Sequence, residues 1–199
     1  MTENMEGQEL KDRLNLIETM IAEGRRTTES WGWTFVLWGV AYYVAIVWAS
    51  WGGHSALAWP VTMIAASVLT GVIYSLKARN RPETTLRRAM SSIWIAMGIS
   101  LFIVLMSLAM SGRYDLHVFV AIIGAMLGTA NATSSLILKW KMQFACAAVW
   151  WAAAVTACFA SENQTSIAFL AAIFFCQIVF GIYGMICESR KQRRGAVHA

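Results

Sequence analysis

Six long uncharged apolar runs, with nearly all the basic residues gathered on one side of them, constrain this chain more than any other feature. The runs are Trp31–Trp51, Ala56–Leu76, Ala89–Met110, Val118–Leu138, Met142–Ala160 and Ile167–Cys187, each 19 to 22 residues long. At about 1.5 Å rise per residue, such a run reaches across the roughly 30 Å of a bilayer core. Backbone groups in hydrocarbon must be satisfied within the segment, so each run is expected to be a helix. Strands of a barrel would be shorter and would alternate, which these do not.

Charge sets the orientation. Lys11, Arg13, Arg25 and Arg26 precede the first run, and Lys77, Arg79, Arg81, Arg87 and Arg88 lie between the second and third. Lys139 and Lys141 lie between the fourth and fifth, and Arg190, Lys191, Arg193 and Arg194 follow the sixth. That places 15 of the 16 Lys and Arg residues on one side, and Arg113 alone on the other. The positive-inside rule then predicts that both termini are cytoplasmic. The expected fold is all-α: six transmembrane helices as three antiparallel hairpins, N-in and C-in, with an N-terminal cytoplasmic amphipathic helix. Residues 1–30 form that helix, 31–187 the membrane domain and 188–199 a basic cytoplasmic tail. The net charge of +5 is a topology signal, so no nucleic-acid partner is expected. The first apolar run begins too late and is too long for a cleavable signal peptide.

Leu10, Leu14, Ile17 and Ile21 recur at helical spacing in a segment with seven acidic and four basic residues. A helix lying on anionic lipid usually carries a basic polar face. This stripe therefore suits protein: its own bundle, a second copy, or a cytoplasmic partner held through residues 5–25.

Within the membrane, the fourth run is the least usual. His117, Ala121, Gly124, Gly128, Asn131 and Ser135 share one face with no large apolar side chain. Gly124-xxx-Gly128 is a small-xxx-small pattern, which lets helix backbones approach closely. The second run offers Ser67, Gly71 and Tyr74, and the sixth Gln177, Gly181 and Gly184. The expectation is that these even-numbered helices converge, as a tight seam or a polar cavity wall. Asn131, deep in hydrocarbon, requires a partner, for which Gln177 or Ser67 is a candidate. Trp38, Trp94 and Trp150 lie inside the basic-side boundary and could contact an organic cation through their ring faces. Leu37–Trp38, Ile93–Trp94 and Val149–Trp150 recur every 56 residues, the trace of a weak hairpin repeat.

Cys146, Cys158, Cys176 and Cys187 form no CxxC pair and read as small buried thiols. No hydrolase or metalloprotease signature is present, and no metal or cofactor is expected. None of the six runs holds an Asp, Glu, Lys or Arg, which argues against ion-coupled transport. Asn163-Gln-Thr165 is a sequon expected in an external loop.

The stretch EGRRTTESWGWTFVLWGVAYYVAI, residues 23–46, resembles uncharacterised small bacterial six-helix integral membrane proteins. The resemblance implies a bacterial inner membrane and brings no chemistry with it. The expected function is non-enzymatic: association, sensing or scaffolding among membrane lipids, as a homo-oligomer. The alternative is a small channel, uniporter, or lipid- or organic-cation-binding transporter lined by the seams of the second, fourth and sixth helices.

Overall fold

The computed structural model describes residues 8–11, 13–16, 18–19, 31–51, 55–78, 85–112 and 115–197. The elements are α1 (Gly32–Trp51), α2 (Ser55–Ala78), α3 (Thr85–Met110), α4 (Leu116–Leu138) and α5 (Lys141–Phe159), followed by α6 (Glu162–Ile173), a π-helical turn (Phe174–Val179) and α7 (Phe180–Val197). The last three run on as one rod. Among the described residues there is no strand, and six helices are long and apolar enough to cross a membrane.

Local chemistry sets the helix ends. Asp115 opens α4, its carboxylate accepting from the backbone N–H groups of His117 and Val118. That satisfies donors which a helix N-terminus otherwise leaves free. Ser161 and Gln164 form a capping box at α6. The sixth helix therefore starts five residues before the apolar run does, and Asn163 lies in its first turn rather than in a loop. At the other end of α4, Lys139 takes the left-handed conformation (φ 49°), and its N–H returns to the Ser135 carbonyl. This tight reversal leads directly into α5.

α4 and α5 form the tightest pair. A Cβ on Gly124 would stand 2.7 Å from the Trp150 carbonyl, and one on Gly128 would strike the Trp151 ring. His117, near the start of α4, lies 2.8 Å from the Ala157 carbonyl near the end of α5, so with the reversal at Lys139 the two helices run antiparallel. α1 crosses α7 at a second close approach, where a Cβ on Gly181 would stand 2.7 Å from the Gly32 carbonyl. α6 packs mainly on α4 and α5 and also meets α1, where the Tyr43 hydroxyl donates to the Leu170 carbonyl; the π turn packs on both α1 and α5, and α7 on α1. The sixth helix thus shifts from α4 and α5 towards α1 along its length.

α2 and α3 are peripheral. α2 packs on α1 and α3 on α4, and their outer faces carry Val68, Val72, Ile95 and Ile99 exposed. Residues 8–11, 13–16 and 18–19 are helical, with Arg13 paired to Glu9. Leu10 and Leu14 of the expected stripe are 61% and 53% exposed. Ile17 and Ile21 lie outside the described residues.

Candidate functional site

Two aromatic layers cross the bundle. In the first, Phe169 of α6 is the hub. Its ring meets Tyr42 of α1 at 6.3 Å, Phe119 of α4 at 5.8 Å and Trp150 of α5 at 6.1 Å. Trp59 of α2 joins through Phe119 at 4.8 Å. In the second layer, Phe35 of α1 lies edge-on to Trp94 of α3 at 5.4 Å and to Phe180 of α7 at 5.2 Å. Trp140, just before α5, closes this layer on Phe180 at 5.1 Å. Edge-to-face pairs at these separations add to ordinary burial, at about 0.5–1.5 kcal/mol each.

Between the layers, small and polar residues replace the rings. Along α1 the order is Phe35, Gly39, Tyr42. Along the sixth helix it is Phe169, Cys176 and Gln177, Phe180. On α4 the interval after Phe119 contains Asn131, Ser134 and Ser135. On α5 the interval between Trp140 and Trp150 contains Gln143 and Cys146. Asn131, Ser134, Ser135, Gln143 and Gln177 are all buried.

This polar layer is under-satisfied. The Asn131 amide donates to the Leu127 carbonyl at 2.8 Å, one turn back on its own helix. Among the described residues its Oδ1 has no hydrogen-bond partner, nor do Ser134 Oγ, both amide atoms of Gln143, Trp150 Nε1 and Gln177 Oε1. An unpartnered buried group costs about 1–3 kcal/mol, so such groups are few in most folds. The set is neutral and mixed, with acceptors on Asn131 and Gln177, a donor on Trp150, and both on Gln143 and Ser134.

The expected seams separate. Gly124 and Gly128 face α5, and Gly181 faces α1. Asn131, Ser135, Gln177 and Gly184 are buried with them. Ser67 and Gly71 point outward from α2, and a Cβ on Gly71 would meet nothing within 4 Å. Tyr74 turns to Trp31, with ring centroids 6.4 Å apart. The second helix therefore shares no seam with the fourth and sixth, and Ser67 does not serve Asn131: its hydroxyl donates to the Met63 carbonyl.

The three inner tryptophans also part. Trp150 is fully buried against Phe169, Trp94 lies on Phe35, and Trp38 is half-buried on α1. They take different partners in different layers, so they form no common cage. His117, which sequence spacing placed on the glycine face, ties three helices together. Its Nδ1 lies 2.8 Å from the Ala157 carbonyl of α5 and 3.3 Å from the Thr165 hydroxyl of α6. Among the described residues no cluster of His, Cys, Asp or Glu could hold a metal ion.

Compared with protein families, curated proteins and solved structures, the chain matches none.

Proposed function

We propose that this protein is a non-enzymatic integral membrane protein that works by lateral association. Its partner-binding face is the outer surface of α2 and α3, and its partner there is a second copy. Gly71 and Gly98 carry the reading. Gly32, Gly39, Gly124, Gly128 and Gly181 each lie where another helix leaves no room for a Cβ, whereas a Cβ on Gly71 or Gly98 meets nothing within 4 Å among the described residues. Gly71 sits in an exposed small-residue stripe on α2, Ser67–Gly71–Ser75; α3 carries a second exposed stripe, Ser92–Ala96–Ser100, and Gly98 opens on the opposite side of that helix, beside exposed Ile95 and Phe102. The serine hydroxyls of both stripes donate to carbonyls of their own helices, at 2.8–2.9 Å. They leave a smooth surface with no hydrogen-bonding demand of its own. In lipid, such surfaces associate by close backbone packing rather than by a hydrophobic driving force.

Three hairpins with both termini cytoplasmic complete the proposal. The basic residues support that orientation, and the resemblance of residues 23–46 supports a bacterial inner membrane. Copies inserted the same way meet about an axis along the membrane normal, which brings each stripe onto its own counterpart. The exposed Leu10 and Leu14 then offer a separate site for a cytoplasmic partner.

Co-purification of two differently tagged copies from one membrane tests this. Gly71→Leu with Gly98→Leu should abolish it and leave thermal stability unchanged, because neither position touches the bundle. Undiminished co-purification of that variant would remove α2 and α3 from the interface.

A second reading, a binder of a small neutral solute, is favoured by the unpartnered atoms of Asn131, Gln143 and Gln177. The aromatic layers on both sides of that level favour a closed site over a conduit.

A further inference from the structure

Among the four cysteines, Cys146 and Cys176 alone are placed together. Cys158 is exposed and Cys187 half-buried on other surfaces. The Cys176 thiol donates to the Cys146 backbone carbonyl at 3.5 Å, which brings the two residues into contact between α5 and the π turn. Both are buried, and both are free thiols. Cys176 belongs to the π turn, which packs on both α5 and α1. A bond between the two sulfurs would therefore join α5 to the turn. π turns recur where a helix has a functional reason to deviate.

Position within the bundle selects the oxidant. Oxidants carried by water do not reach thiols enclosed by apolar side chains in hydrocarbon. The oxidant must dissolve in lipid and accept two electrons. Phe174 and Phe175, next to Cys176, turn exposed rings outward as an edge-to-face pair at 5.4 Å, a surface suited to a flat ring.

We propose that Cys146 and Cys176 are a redox-active pair that closes to a disulfide across the π turn, with a lipid-soluble quinone as the class of oxidant. The reaction balances within these partners. Two S–H bonds break and one S–S bond forms, the sulfurs giving up two electrons and two protons in total. The quinone takes up both electrons and both protons and leaves as the hydroquinone.

The full chain in lipid nanodiscs, treated with duroquinone, tests the proposal. The ring of duroquinone is fully substituted, so thiols do not add to it readily. After unfolding and alkylation, the expected product has lost two hydrogen masses, carries label on Cys158 and Cys187 only, and yields a Cys146–Cys176 linked peptide that dithiothreitol separates. Cys176→Ser should remove the mass change. Alkylation of all four cysteines after duroquinone treatment would overturn the proposal. Linkage by the small permeant oxidant diamide but not by duroquinone would overturn the assignment to a quinone.

Discussion

Gly128 and Gly71 carry the same small-xxx-small signature and meet opposite surroundings. Gly128 supports the Trp151 ring on α5, and Gly71 faces away from the bundle. Substitution should separate them. Gly128→Leu drives a side chain into α5, at about 1–3 kcal/mol for overpacking, and should lower the melting temperature in detergent. Gly71→Leu should leave it unchanged. Trp150 lies at the centre of the first aromatic layer, so Trp150→Ala should cost about 3–5 kcal/mol through the cavity left beside Phe169. Reversible unfolding in mixed micelles measures that loss. The difference between the glycines is also why the seams were only partly legible. Spacing shows that a face is small, but the neighbouring helix decides whether the face is used, and that neighbour is fixed by contacts distant in sequence. The burial of Asn131 and Gln177 followed from their place in apolar runs. That they lie between two layers of rings did not, because the layers draw one residue from each of several helices.

Helix termini and the π turn belong to the scale of elements. Asp115→Ala leaves the first N–H groups of α4 unsatisfied, at about 1 kcal/mol, and amide exchange at residues 117–119 should accelerate. The π turn was not legible: Phe174–Val179 contains no Pro or Gly to mark it. It lies where the sixth helix holds contacts on two sides at once, Phe169 against Trp150 of α5 on one side of the turn and Gly181 against Gly32 of α1 on the other. Deleting exposed Phe175 should convert the turn to α-helix and leave α7 in register with α6, because a π turn holds one residue more than an α turn. Gly181 should then stay against Gly32, and protease resistance of the α1–α7 contact should be kept; its loss would show that the turn does more than absorb one residue. The six long apolar helices, by contrast, were legible, because length and lack of charge mark a helix that can lie in hydrocarbon. The starts at Thr85 and Glu162 fell outside the apolar runs because polar residues can continue a helix beyond the apolar core.

At the scale of the whole molecule, the bundle is uneven. α4, α5, α1 and the sixth helix share the aromatic layers and the close glycine contacts. α2 and α3 reach those layers through Trp59 and Trp94, bury little besides Ala58 and Ala66 on α2 and Met90 and Leu101 on α3, and leave their outer faces exposed. A chain solvated only by lipid gains nothing from placing small, self-satisfied stripes outward on these two helices. A chain that meets its own copy gains close backbone contact along both. Oxygen accessibility of a spin label at Ser75, measured in liposomes at protein-to-lipid ratios that keep copies together, tests this most directly. The account predicts that oxygen reaches Ser75 far less than it reaches a label at Val155 on the outer face of α5, and that access rises when Gly71 and Gly98 are replaced by Leu. Equal access at Ser75 and Val155, unchanged by those replacements, would show that only lipid covers this face and would contradict the account.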